Sequence, residues 1–115
     1  MAKLRAPGGC PWDREQTHKS IRRHLVEETY EVLEAIDNDD FEALKDELGD
    51  LLLQVLFHAQ IASEENKFNI EEVLNKLSDK LIRRHPHIFA DTEVSSAEEV
   101  VKNWEEIKKR EAERP

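Results

Sequence analysis

The sequence predicts an all-α protein, and three observations predict it. Glycine and proline are scarce, at three and four residues in 115, so few positions break a helix. Aromatic residues make up 6% while charged residues reach 37%, a balance that suits helices with one solvated face and argues against a sandwich or barrel. Apolar residues recur at three- and four-residue spacing through most of the chain. The expected architecture is a four-helix-type bundle forming one domain over residues 1–115. A chain this short buries a limited core, so assembly into a homodimer or higher homo-oligomer is expected to bury more apolar surface.

The elements follow in order. Residues 1–12 hold Pro7-Gly8-Gly9-Cys10-Pro11 and read as an irregular segment. Asp13 with Gln16 three residues on resembles a capping box, which predicts a helix starting there. Ile21, Leu25, Val32, Leu33 and Ile36 keep helical spacing and predict the next helix. Asn38-Asp39-Asp40 is turn chemistry. From Asp40 to about Ser63 a long helix is expected, its stripe formed by Phe41, Leu44, Leu48, Leu51, Leu52, Val55 and Ala59. Its stretch Leu51 to Phe57 is apolar nearly all round, which places it centrally or between subunits. Asn69 with Glu72 at N3 predicts a third long helix ending before Pro86, and Ser95 with Glu98 a fourth that runs into the charged C-terminus. His85-Pro86-His87 reads as a structural turn, since two histidines around a proline cannot ligate zinc at helical i, i+4 spacing.

The chemistry concentrates in two acidic clusters mirrored across the 38–40 turn. Glu28 with Glu31, and Glu47 with Asp50, are spaced i, i+3 and so share a helix face in pairs. In an antiparallel hairpin, residues equidistant from Asp39 sit roughly level, which sets Glu31 opposite Glu47 and Glu28 opposite Asp50. Four converging carboxylates repel one another unless a cation lies among them, and carboxylate oxygens suit Mg²⁺ or Mn²⁺. Either pair alone is a solvated helix face in a chain with 26 acidic residues; the mirror spacing is what singles them out. Gly49, inside the helix, suggests close approach by another backbone or a ligand. Glu27, beside Glu28, reads as solvated face, and His24 lies one turn before Glu28 within reach of a ligand.

Basic side chains gather elsewhere, at Lys76, Lys80, Arg83 and Arg84 and at Lys108, Lys109 and Arg110. Lys80 and Arg84 are i, i+4, a geometry fit for two phosphate oxygens and equally for charge complementation at a helix C-terminus. Trp104 and Lys108 repeat that spacing, either to stack a base and hold a phosphate or to pack the last helix.

The net charge of −9 disfavours nucleic acid and anionic membranes as partners. A single cysteine excludes an intramolecular disulfide, and the chain shows neither a membrane-length apolar run nor a signal-peptide core; a cytoplasmic protein is expected. A P-loop, a Ser-centred elbow and an activated Cys10 are all missing their residues.

Five segments together resemble the MazG family of nucleoside triphosphate pyrophosphohydrolases. They are Gly9-Cys10-Pro11-Trp12-Asp13, the EExxE stretch Glu27 to Glu31, the ExxD stretch Glu47 to Asp50 with Leu51-Leu52, Lys80 through Phe89, and Trp104 through Lys108. The likeness covers nearly the whole chain and is greatest to the N-terminal copy of members that carry two such domains. It implies the fold of the all-α NTP pyrophosphatase superfamily, homo-oligomeric assembly, and Mg²⁺-dependent cleavage of nucleoside triphosphates to monophosphate and pyrophosphate. It also implies Glu28, Glu31, Glu47 and Asp50 as catalytic metal ligands, and His24, Glu27, Lys80, Arg84, Trp104 and Lys108 as nucleotide contacts. Two other functions fit the residues: a pyrophosphatase restricted to dUTP or modified nucleotides, and a non-catalytic helical oligomerisation or nucleotide-binding module.

Overall fold

The computed structural model describes residues 1–113, and every regular element among them is helical. The helices are α1 (Ala2–Arg5), α2 (Pro11–Glu15), α3 (Arg22–Asp37), α4 (Phe41–Glu64), α5 (Ile70–Arg84), α6 (Pro86–Phe89) and α7 (Ala97–Ala112). The four long ones, α3, α4, α5 and α7, are the four expected. None is long and apolar enough to cross a membrane. The chain divides into two compact units, Met1–Ile70 and the part from Glu71 onward.

The first unit is organised by the α3–α4 hairpin, whose turn is set by hydrogen-bond chemistry. Asp39 takes a left-handed φ of 50°, a conformation that Asp and Asn tolerate better than most residues. That bend lets Asp40 N donate to Ala35 O at 3.0 Å and Asp39 N to Ile36 O at 3.1 Å, satisfying carbonyls at the end of α3. Asp40 then caps α4, its carboxylate accepting from Ala43 N at 3.1 Å. One helix is closed and the next opened within adjacent residues, which fixes the antiparallel register. Asn66, at φ 59°, closes the far end of α4 in the same way, with Lys67 N donating to Ala62 O at 2.9 Å.

The deepest packing lies in the C-terminal half of α4, where Phe57 (4% exposed) and Ile61 meet Ile21 (1% exposed) at the threshold of α3. Much of the expected stripe stays in contact with solvent: Leu25, Leu33 and Ile36 on α3, and Phe41, Leu48, Leu52 and Val55 on α4, are exposed. Two antiparallel helices cover only the faces they turn to each other, so the hairpin leaves its outer apolar positions bare.

The N-terminal segment departs from expectation. Residues 1–12 are not irregular throughout: α1 forms at Ala2–Arg5, and α2 begins at Pro11, because proline at N1 presets the helical φ. Asp13 therefore lies inside α2 rather than capping it, and Gln16 ends the helix, its side-chain amide donating to Trp12 O. Arg5 pins this segment down. Its guanidinium donates to Glu64 at 2.8 and 3.0 Å and to the carbonyls of Asp13 and Gln16, and it lies 5.5 Å from the centroid of the Phe57 ring. The loop before α3 is tied to α4 as well, through a 2.8 Å contact between Nδ1 of His18 and Nδ1 of His58.

In the second unit α7 starts one residue later than the sequence suggested. Ser96 is the cap, accepting from Glu99 N at 3.2 Å, while the Glu99 carboxylate reaches back to Ser95 N. His85-Pro86-His87 is not a simple turn; Pro86 opens the one-turn helix α6.

Candidate metal and phosphate site

The hairpin register brings the acidic pairs together. One carboxylate oxygen from each of Glu28, Glu47 and Asp50 can be chosen so that all lie within 4.8 Å of one another. All three side chains are half-buried, Glu28 coming from α3 and the other two from the facing turns of α4. Glu31 sits beside this trio, exposed, with its carboxyl next to that of Glu47. Hydrogen bonding of its protonated form to Glu47 first, then the charge of Glu47, raises the Glu31 pKa above the ordinary carboxylate value. Glu47 is raised too: the hydrogen bond with Glu31 pulls it down, but the bond with Glu28, burial, and repulsion from Glu28 and Asp50 outweigh that pull.

A divalent cation fits this donor set. Oε2 of Glu28 and Oε2 of Glu47 are both buried and lack a hydrogen-bond partner among the described residues. Buried carboxylate oxygens without donors are costly, and a hard cation is the ligand that answers several at once. Gly49 does not owe its place to close approach by another described residue, since among these a Cβ built on it meets nothing within 4 Å.

At the edge of the cluster Glu27 is exposed and pairs with Arg23 at 3.7 Å and His24 at 3.6 Å. The His24 ring is met edge-on by Trp12, with centroids 5.8 Å apart. These contacts place His24 and Glu27 one turn along α3 and one residue along the chain from Glu28.

The remaining expected residues belong to the second unit. Lys80 is exposed on α5, and Arg84 is half-buried on its last turn. Nη2 of Arg84 donates to Glu111 at 2.8 Å, and Nε of Arg83 donates to the other oxygen of the same carboxylate at 2.5 Å. These bonds, with Arg84 the larger influence, hold the Glu111 carboxyl down to about 2. Trp104 packs partly against His85, ring centroids 6.0 Å apart, and Lys108 is 3.9 Å from Glu105. Arg83 and Glu111 also line a cavity of about 400 Å³ in this unit, together with Asn103 and Arg110. Sequence reasoning missed Glu111 altogether: it sits 27 residues from Arg84 in a tail full of charges, with no spacing to single it out.

Comparison with known proteins gives a consistent picture. Residues 16–89 match the sequence model of the MazG nucleotide pyrophosphohydrolase domain, a stretch that runs from the first unit into the second. A Thermotoga maritima protein named nucleoside triphosphate pyrophosphohydrolase/pyrophosphatase MazG is 55% identical over 111 residues, covering 96% of this chain and 42% of that protein. An Escherichia coli nucleoside triphosphate pyrophosphohydrolase is 53% identical over 109 residues, 94% of this chain and 41% of its own length. The chain thus spans less than half the length of these curated relatives. The crystal structure of a mazG-related protein from Thermotoga maritima superposes with a TM-score of 0.74 at 31% identity, covering 89% of each chain.

Proposed function

This chain belongs to the MazG nucleotide pyrophosphohydrolase family, and from that premise we propose that it hydrolyses nucleoside and deoxynucleoside triphosphates to monophosphate and pyrophosphate. The proposed setting is cytoplasmic nucleotide-pool housekeeping by a homo-oligomer in which residues 1–115 act as one domain. One observation carries the reading: carboxylates from two helices converge, and the buried Oε2 atoms of Glu28 and Glu47 have no donor among the described residues.

Glu28, Glu47 and Asp50, with Glu31 beside them, are the proposed holders of Mg²⁺, or of Mn²⁺ in its place. A divalent cation bound there supplies charge neutralisation for the triphosphate oxygens and for the phosphorus under attack. Glu27, exposed at the edge of the cluster, or a carboxylate of the quartet takes the proton of the attacking water. Lys80, Arg84 and Lys108 hold phosphate oxygens as point charges and a guanidinium fork. Trp104 offers a ring face to the base, and His24 lies beside Glu27 where the nucleotide is bound. No base-reading motif accompanies these groups, which favours broad over narrow base specificity.

Oligomerisation draws support from the exposed apolar positions Phe41, Leu48, Leu52 and Val55, which fall along one side of α4.

The test is pyrophosphate release from a panel of NTPs and dNTPs with Mg²⁺, with EDTA, and with Glu47→Gln. Metal-dependent release that the substitution abolishes supports the reading. Turnover confined to dUTP or a modified nucleotide narrows it, and stoichiometric binding or no binding without turnover replaces it with a non-catalytic module.

A further inference from the structure

Arg83 and Arg84 are adjacent on the last turn of α5, yet a single carboxylate answers both. Neighbouring side chains on a helix project about 100° apart, so a group that reaches both must lie in the angle between them. Glu111 does so from the end of α7, one oxygen on Nε of Arg83 and the other on Nη2 of Arg84. Arg84 and Glu111 are both well covered, at 21% and 19% exposed. Despite this clamp, Nε of Arg84 is buried and has no partner among the described residues.

That leftover donor distinguishes two roles for the carboxylate. A side chain that stands in for phosphate and blocks Arg84 takes Nε and Nη2 together, in the bidentate arrangement that carboxylates and phosphates share. Glu111 does not: it uses one edge of Arg84 and gives its other oxygen to Arg83. The guanidinium is fixed in orientation while its Nε–H remains unmatched.

We infer that Glu111 is a positioning residue for phosphate recognition, holding Arg84 so that its buried Nε–H meets a phosphoryl oxygen of a nucleoside triphosphate or of pyrophosphate. The inference rests on the reading of Arg84 as a phosphate-binding residue. The carboxyl of Glu111 lies near 2 because Arg84 and Arg83 donate to it, so the anchor stays ionised through the neutral range and its hold does not switch with ordinary pH changes.

The experiment is titration calorimetry of the full chain with inorganic pyrophosphate and with a non-hydrolysable α,β-methylene nucleoside triphosphate, both with Mg²⁺. The proteins compared are the parent, Glu111→Ala, Arg84→Ala and the double variant. Glu111→Ala is expected to weaken binding about tenfold, the size typical of partners that orient a liganding group. In the Arg84→Ala background the same substitution is expected to cost nothing further. Unchanged or tighter binding in Glu111→Ala overturns the inference, the latter identifying a competitor. Equal losses in both backgrounds also overturn it, because a purely structural staple acts whether or not Arg84 is present. If Arg84→Ala binds as well as the parent, the phosphate role of Arg84 fails, and the inference falls with it for a separately visible reason. Should Glu111→Ala not fold, the Nε–H resonance of Arg84 in the parent protein decides: pyrophosphate must shift it, and an unmoved signal at saturation overturns the inference.

Discussion

Glu31 and Glu47 bring their carboxyl groups together across the α3–α4 hairpin, beside those of Glu28 and Asp50. Both groups titrate above the ordinary value of 4.5. A carboxyl raised on folding makes the folded state bind more protons than the unfolded one. The stability it contributes is full below the unfolded value and is lost as pH rises through the folded one. Relative to a Glu31→Gln, Glu47→Gln variant, which keeps the opposite slope of His58 (lowered by burial), metal-free protein is therefore expected to lose thermal stability between mildly acidic and neutral pH. Mg²⁺, the cation proposed for this cluster, is expected to restore it at neutral pH. Thermal unfolding at about pH 5.5 and about pH 7.5, in EDTA and in Mg²⁺, checks this sign. A parent midpoint in EDTA that does not fall relative to the variant's as pH rises sinks it.

Asp50→Asn separates the charge from the shape of the same cluster. The amide keeps the volume but removes a negative charge from among Glu28, Glu31 and Glu47. Metal-free protein is expected to become more stable at neutral pH, and the Mg²⁺-dependent gain to disappear. Turnover is expected to fall about a hundredfold or more, the scale on which single electrostatic groups act in active sites. A variant that is more stable, unresponsive to Mg²⁺ and still fully active would show that the quartet is not the site of chemistry.

Phe57 is 4% exposed, packs with Ile21 and Ile61, and carries the Arg5 guanidinium near its ring face. Phe57→Ala is expected to destabilise the protein by about 3–5 kcal/mol, because it leaves a cavity and also loosens the seat of Arg5. Phe41, at 74% exposed, is the control on the same helix. In an isolated chain Phe41→Ala is expected to change stability by no more than about 0.5 kcal/mol. Urea unfolding of the two variants gives the comparison directly.

The exposed side of α4 carries the oligomer proposal. Leu52, 56% exposed, lies near the middle of that side. Leu52→Glu is expected to shift sedimentation toward the mass of one chain while leaving the helical circular dichroism of α3 and α4 in place. Unaltered sedimentation of a multimeric protein would move the interface elsewhere.

How far the sequence could be read depended on whether the decisive chemistry was local. The α3–α4 turn was legible because Asn38, Asp39 and Asp40 are turn and cap residues acting on their immediate neighbours. Once that turn is placed, the approach of Glu28, Glu31, Glu47 and Asp50 follows from helical geometry. The N-terminal segment was not legible, since Pro7, Gly8 and Gly9 mask the short helices on either side and Arg5 finds Glu64 only in three dimensions. The Ser95/Ser96 boundary slipped by one residue because either serine is a competent cap with a glutamate three positions on. The Leu51–Phe57 run announced burial, but local pattern does not say whether this chain or another provides the cover. Glu111 is the limiting case: its meaning is the guanidinium pair it meets, and nothing near it in sequence records that meeting.

Glu111 also predicts an acid limit for its own unit. Its folded value of about 2 lies below the ordinary 4.5, because Arg84 and Arg83 donate to the ionised form. A carboxyl depressed on folding contributes stability that is present above the unfolded value and lost as pH falls through the folded one. Glu111→Gln removes the charge while keeping the side-chain length, so the variant lacks that titration. The stability gap between parent and variant is expected to be level from neutral pH down to about 4.5 and to close between there and about 2. Because Arg83 is 39% exposed, added salt is expected to narrow the gap at neutral pH as well. Urea midpoints across this range test both statements. A gap independent of pH would assign the contribution of Glu111 to packing of its methylenes instead of to the two guanidiniums.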